Sequence, residues 1–423
     1  MISCLFIAFR YVGGKNSDGG RYLLGGVAGI ALSLVPVVVT LIVADGMIRG
    51  IMDRFIELGT GHIQVLPYSG SFNEESEENA VIEAVRSNAN VCGVWKQRES
   101  LGIVIGDGGK TGISIRAVDP LFWQDGGSRR YITTIAGEAA LNSDGDALIG
   151  EELAKITGVK SGGIIRIMTA RRGPDGKIIP RATVFKVNGI ISSGYRELDS
   201  MWCVISYNAG KRVLSPEAGR DSLVVKIDDA YKNIDRAALE IQWAVPGDYG
   251  VYRWKDILRS QYSSYESTRQ LLLFIMLLIV FVAAVNISSV TSMLAIERRG
   301  DIAVLKAFGI KSSSINSIFL WCSFLIGAAG SFCGIMLGVL TGCSINHILR
   351  AVESVFLFFS ERIANSAFSP LDQSYYLQTI PVIVDWKTIT VIGFFTILCS
   401  CASSFFPARK AGKTPVVELL NKH

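Results

Sequence analysis

The chain is poor in the residues that most enzymes use for chemistry. Its 423 residues include three histidines, His62, His347 and His423, too scattered to suggest a metal site or the local signature of a Ser-His-Asp triad. Ser192-Ser193-Gly194 lacks the nucleophile-elbow pattern, and Asp144 and Asp146 lie among glycines, where a loop accounts for them. Of eight cysteines, Cys4, Cys322, Cys333, Cys399 and Cys401 sit in or beside apolar runs as small packing residues. Cys92 and Cys203 are then the pair that an oxidising space could bridge. Gly109-Lys110-Thr111 and Gly412-Lys413-Thr414 resemble the end of a phosphate loop. The glycine required five residues earlier is replaced by Val104 and Pro407, so neither can wrap a phosphate. No catalytic centre, metal site or nucleotide site is expected in this chain. The net charge of +5 accompanies no basic-aromatic motif, so no nucleic acid is expected as a partner.

Charge itself is missing from four long stretches. Tyr22–Ala44, Leu271–Ile296, Ser312–Asn346 and Thr388–Ala408 contain no Asp, Glu, Lys or Arg. Each is long enough to cross about 30 Å of hydrocarbon as a helix. Transmembrane helices are therefore expected at 22–44, 271–295, 315–342 and 387–406. The first is too long in its apolar core for a cleaved signal peptide. Arg10, Lys15 and Arg21 precede it; Arg298, Arg299, Lys306 and Lys311 join the second and third; Arg409, Lys410, Lys413 and Lys422 follow the fourth. The positive-inside rule places 1–21, 296–311 and 407–423 in the cytoplasm, with 45–268 and the loop 343–386 outside. Helix one carries Gly25, Gly29 and Ser33 at spacings of four, and helix three Gly327, Gly330, Gly334, Gly338 and Gly342. Both patterns let membrane helices approach closely. Pro36 is expected to kink helix one.

The 45–268 segment mixes periods. Strands are expected at 62–65, 112–118, 164–168 and 185–187, and helices at 78–86, 151–157 before Gly158, and 233–241. The fold class is thus an α-helical membrane protein with four spans plus a large α+β domain inserted between helices one and two. Glycine and aspartate cluster at 125–127 and 142–146, where the domain could divide into two lobes. Between two strand-like runs lies a turn-rich protrusion with Gly173, Pro174, Asp175, Gly176, Lys177 and Pro180. It reads as a tight hairpin or as a docking finger.

Ile296–Gly309, I-E-R-R-G-D-I-A-V-L-K-A-F-G, stands out among the polar connections. Its charges keep it out of hydrocarbon, each costing about 3 kcal/mol at a bilayer centre. Ile302, Leu305 and Phe308 recur three apart, giving a short helix an apolar stripe beside Glu297, Arg298, Arg299, Asp301 and Lys306.

Four stretches in order along the chain carry a resemblance. F-R-Y-V leads into a glycine-rich span and then A-D-G-M and G-H-I-Q-V. A-L-I-G-E-E-L-A occupies 147–154, G-D-I-A-V-L-K-A-F-G 300–309, and F-F-P-A-R-K-A begins at Phe405. Together they resemble the FtsX-like permease superfamily, and within it the lipoprotein-releasing (LolC/LolE) permeases. The resemblance implies one subunit of an ATP-driven ABC transporter in the bacterial inner membrane. It implies a separate ABC ATPase subunit that holds ATP and Mg, a second permease chain, acylated lipoprotein cargo taken from membrane lipid, and a periplasmic lipoprotein carrier. The ATPase-coupling helix would comprise Glu297, Arg298, Arg299, Asp301, Ile302, Leu305, Lys306 and Gly309. Val43, Met47, Ile48, Ile51, Leu271, Leu272 and Ile275 at the outer ends of helices one and two would meet lipid. Tyr375 and Tyr376 resemble a cargo-contacting aromatic pair of the E-type subunit, whereas the Gly173–Pro180 protrusion resembles the carrier-docking hook of the C-type. C-type, E-type and a homodimer serving both roles stay open. An exporter permease of the MacB type and a regulator of a cell-wall hydrolase are the alternatives.

Overall fold

The computed structural model describes residues 6, 8, 19–72, 75–172, 178–215, 219–363 and 381–413. The chain divides into two compact units. One comprises Met1–Ile48, Tyr265–Ala367 and Ile380–His423, and the other is built on Arg49–Ser264. The helices used below are α1 Gly19–Phe55, α2 Glu75–Arg86, α3 Glu151–Thr157, α4 Ile234–Ala244, α5 Arg259–Glu297, α6 Arg299–Ala307, α7 Ser312–Cys343, α8 Ile345–Ile363 and α9 Trp386–Lys413.

Four helices, α1, α5, α7 and α9, are long and apolar enough to cross a membrane, so the chain is a multi-pass membrane protein. Three of them, α1, α5 and α9, outrun the uncharged stretches that predict them, while α7 ends at Cys343, short of Asn346. Helical hydrogen bonding continues wherever side chains permit, whereas an apolar run marks only the part in hydrocarbon. Helix α1 continues through Pro36 as one element. Of the small residues expected to pack, Gly25 faces open space, where a methyl would meet nothing, while the neighbouring Gly26 lies against Val290 and Ile326. Helix α7 does carry such a face. Methyls at Gly330, Gly334, Gly338 and Gly342 would come within 2.7–2.8 Å of Ile30, Leu34, Val38 and Ile42. A ridge of large residues on α1 thus lies in a groove of glycines on α7, both repeating every four residues. Gly327 meets Ser400 of α9 in the same way.

The loop expected over 343–386 begins instead as α8, separated from α7 by Ser344 alone. Ile345, Ile348, Leu349, Val352 and Val355 carry helical spacing. That spacing was obscured because the uncharged run of the third span continues into its first turn, as far as Leu349.

The second unit contains ten strands in one sheet: β1 Ile63–Pro67, β2 Val91–Ile105, β3 Lys110–Val118, β4 Thr133–Gly137, β5 Asp146–Gly150, β6 Ile164–Arg172, β7 Ile178–Ser192, β8 Trp202–Ser206, β9 Arg220–Ile227 and β10 Tyr249–Arg253. β2 pairs with β3, β3 with β8, β8 with β5, β5 with β7, β7 with β6, and β6 returns to β2. This closes a six-stranded barrel. Alternate residues fill it, among them Val104, Ile113, Ile115, Ile149, Ile167, Phe185, Val187 and Ile205. β9, β1 and β10 extend the sheet from the first half of β2. All ten strands thus belong to one continuous sheet. Cys203 is buried within the barrel and Cys92 is exposed; both thiols are free, so the suggested bridge is absent.

Candidate functional site

Helix α6 begins at Arg299, one residue after α5, and fills most of the connection to α7. Its end is built from backbone. Gly309 takes φ +81, the amide of Gly309 donates to the Lys306 carbonyl at 2.9 Å, and that of Ile310 to the Leu305 carbonyl at 3.2 Å. This paired closure needs a residue free to enter the left-handed region, which glycine does without strain. The role of Gly309 in the structure is to stop the helix and turn the chain into α7.

The stripe expected on α6 is divided by burial. Ile302 is 2% exposed and Ala303 2%. Ile302 packs with Leu294, Ala295, Ile315, Ile318, Phe319, Cys322 and Ala408, and Leu305 and Ile310 lie half-buried against the same cluster. Ile302 therefore cannot touch a partner, and the expectation that it belongs to the coupling surface is corrected. The outward apolar residues are Val304, 56% exposed, and Phe308, 81% exposed. Glu297, Arg299, Asp301 and Gly309 are exposed around them, while Arg298 and Lys306 are half-buried. Arg298 Nη1 pairs with Asp301 Oδ2 at 3.4 Å. Phe308 was visible in the sequence pattern. Val304 was not, because the turn that α6 presents outward is set by how α5 and α7 hold it.

The outer-end residues separate similarly. Leu271 and Ile275 are 60% and 43% exposed, in line with Phe274 at 62% and Leu278 at 48%. Val43, Met47 and Ile48 are half-buried. Leu272 turns inward against a cluster of Val37, Val38, Leu41, Ile42, Met276 and Ile389. Ile51 is 8% exposed and belongs to the second unit. Ile51 is thus corrected from a lipid-facing to a packing position, while Leu272 is half-buried like Val43, Met47 and Ile48. Tyr375 and Tyr376 lie outside the described residues.

The strands on either side of the protrusion pair with each other. β6 and β7 pair from Ile164↔Lys186 to Arg172↔Ile178. Pro180 is exposed and opposes Ala170, and Arg181 Nη1 donates to the Arg212 carbonyl at 3.0 Å. Gly173, Pro174, Asp175, Gly176 and Lys177 lie outside the described residues. Beside the arms, the outer barrel face leaves Leu101 80% and Val184 57% exposed.

The same unit buries an ionic cluster that the sequence did not reveal. After α1, a π-helical turn over Ile56–Thr60 closes on Gly61, whose φ is +66. The turn swings Glu57 onto the sheet. Glu57 Oε1 accepts from His62 Nε2 at 3.0 Å, while His62 Nδ1 accepts from the Ile227 amide at 3.1 Å. Lys226 Nζ pairs with Glu57 and lies 3.2 Å from Asp125 Oδ2. Desolvation pushes Lys226 down to about 8 despite these carboxylates, and it lowers His62 too, so the imidazole is neutral. Among the described residues no group of His, Cys, Asp and Glu is placed to hold a metal ion.

With this geometry in place, similarity to known proteins is informative. Residues 273–416 match the FtsX-like permease C-terminal family. The lipoprotein-releasing system transmembrane protein LolC of Xylella fastidiosa (strain 9a5c) is 24% identical over 425 residues, covering 98% of this chain and 97% of that one. The LolE protein of the corresponding system in Haemophilus influenzae is 21% identical over 426 residues, 99% of each chain. A solved extracellular domain of the noncanonic ABC-type transporter YknZ from Gram-positive bacteria matches at 13% identity. It covers 46% of this chain and 100% of that one with a TM-score of 0.29, too low to bear on the fold.

Proposed function

The chain is an FtsX-like ABC-transporter permease of the LolC/LolE type, and on that premise we propose that it extracts lipoproteins from the outer leaflet of a bacterial inner membrane. The observation that carries this reading is collinear similarity to lipoprotein-releasing permeases over 98% of the chain, spans and inserted domain alike. The inserted domain would lie in the periplasm and α6 in the cytoplasm, as the distribution of Lys and Arg favours.

The task requires force. Each buried CH₂ of an acyl chain contributes about 0.8 kcal/mol, so one long chain resists extraction by roughly 10 kcal/mol. A separate ATPase supplies that work, with ATP and Mg bound on its own chain. Val304 and Phe308, ringed by Glu297, Arg299 and Asp301, form the knob it would grip. Ile302 behind them would carry the push into the helical core, because it packs on α5 and α7 residues rather than facing out. Leu271 and Ile275 would face lipid or cargo beside a second permease chain. The β6–β7 hairpin and its neighbours Leu101 and Val184 would receive the periplasmic carrier.

The deciding experiment is reconstitution in liposomes with the partner ATPase, comparing release of an acylated lipoprotein with a non-acylated control. ATP-dependent release of the acylated form alone supports the reading. Equal handling of both, or none, with ATPase active, rejects it in favour of an exporter or a regulator. Phe308→Asp with Val304→Asp should abolish release while the permease still folds.

A further inference from the structure

At the ends of the spans that join the inserted domain, three charged residues converge from three helices. Arg269 of α5 donates from Nε to Asp45 Oδ1 of α1 at 2.7 Å and from Nη2 to Asp45 Oδ2 at 3.1 Å. The same Nη2 donates to Asp385 Oδ2 at 3.1 Å. Asp385 stands immediately before α9 and caps it. Its Oδ1 accepts from the amides of Lys387 at 3.2 Å and Thr388 at 3.5 Å, and its Oδ2 from the Thr388 hydroxyl at 2.6 Å. The second carboxylate is therefore balanced by the positive end of a 28-residue helix. One guanidinium with two differently supported carboxylates makes a balanced cluster.

Its position relative to the apolar core is regular. Asp45 follows Ile42 by three residues, Arg269 precedes Leu272 by three, and Asp385 precedes Ile389 by four. On a helix these spacings stack side chains one turn apart. Ile42, Leu272 and Ile389 belong to the single apolar cluster that fills this end of the bundle. The charges thus form a lid one turn beyond a dry plug contributed by the same three helices. The Asp45 side chain is 11% exposed, and those of Arg269 and Asp385 are 37% and 32% exposed, as expected where a span leaves hydrocarbon. On the opposite side of α5, Leu271, Phe274, Ile275 and Leu278 point outward. The direction in which Arg269 is tied fixes the rotation of α5, and so where that stripe points.

We propose that Arg269 is a positioning residue of the permease, clamping the outer ends of α1, α5 and α9 into one body and holding the lipid-facing stripe of α5 in register. The guanidinium suits this role because its planar fork holds two carboxylates in fixed directions, whereas an ammonium is a single point charge. The transport consequence rests on the lipoprotein-release reading; the clamp does not.

The test uses the full permease–ATPase complex in nanodiscs or liposomes, in wild type, Arg269→Ala, Arg269→Lys and the exchange pair Asp45→Arg with Arg269→Asp. Spin labels at Thr40→Cys and Lys387→Cys report the α1–α9 distance without needing any cargo. One narrow distribution is expected in wild type and in the exchange pair, a broad one in Arg269→Ala, and an intermediate one in Arg269→Lys. Lipoprotein released per ATP hydrolysed should fall roughly tenfold in Arg269→Ala and recover in the exchange pair, as a direct pairwise coupling requires. A narrow distribution in Arg269→Ala overturns the clamp. A broad one with unchanged release per ATP overturns its role in transport. If wild type hydrolyses ATP but releases no lipoprotein, the functional reading fails while the distance measurement still decides the clamp.

Discussion

The inserted domain and the spans solve the burial of polar groups in opposite ways. The domain buries charge. Arg98 and Asp221 are 4% and 1% exposed and paired at 2.8 Å, and Glu78, 0% exposed, is met by Lys96 at 3.1 Å. The spans bury hydroxyls that mostly satisfy themselves, Ser331 Oγ being the exception among the described residues. Thr396 and Ser400 donate back to carbonyls four residues earlier, and Thr291 and Ser323 share a hydrogen bond between α5 and α7 at 3.1 Å. Their ionic cluster, Asp45–Arg269–Asp385, waits at the end of the bundle. A chain that folds in water can desolvate a charge while its partner is brought to it. A helix inserted into lipid must arrive with little to desolvate, and it gains contact through close backbone approach instead.

The largest test of this contrast lies in the domain. Asp221→Ala leaves Arg98 buried without its partner, although burial already pushes Asp221 above the usual carboxylate range. Removal should destabilise the domain by about 3–5 kcal/mol, read as a lowered denaturation midpoint of the purified protein. A midpoint unchanged would show that the domain does not depend on its buried charge.

In the spans the equivalent injury is steric. Gly334→Leu forces a side chain where even a methyl would lie 2.8 Å from Leu34 Cβ, at a cost of about 1–3 kcal/mol. A melting curve in micelles should register this loss; full tolerance would mean that the glycine groove does not hold α1.

A smaller effect follows from His62. Burial lowers its pKa, so the folded imidazole stays neutral where the unfolded one takes a proton below about 6.5. The unfolded chain then binds more protons, and stability is lost as pH falls through that region. His62→Gln should flatten this part of the stability–pH curve, measured by denaturation at a series of pH values. An identical slope in the variant would place the proton uptake elsewhere. Least affected should be Gly25→Ala, where the added methyl meets nothing. A change within about 0.5 kcal/mol is expected, and a loss comparable to that of Gly334→Leu would contradict the assignment of the α1 packing face.

These same residues show why some features were readable early. The strands β1, β3, β6 and β7 and the helices α2, α3 and α4 follow local periodicity. β2 did not, because Lys96, Gln97, Arg98 and Glu99 interrupt its apolar pattern. Those polar side chains are admissible only once Asp221, Glu78 and Arg116 come to meet them across the fold. The 296–309 stretch was legible as a charged amphipathic helix. Which of its apolar residues face outward was not, since Ile302 and Phe308 lie on the same stripe and only packing tells them apart.

By itself, then, the sequence determined the four spans and the existence of a large inserted α+β domain. These follow from hydrophobic length, charge placement and period, all properties of neighbours along the chain. Tertiary structure alone decided the closure of six strands into a barrel, the seating of α1 in the glycine groove of α7, the outward turn of Val304 and Phe308, and the convergence of Asp45, Arg269 and Asp385. Each depends on residues far apart in sequence, up to 340 positions between Asp45 and Asp385. No local pattern encodes such a meeting; it is fixed by which faces pack when the helices and strands come together.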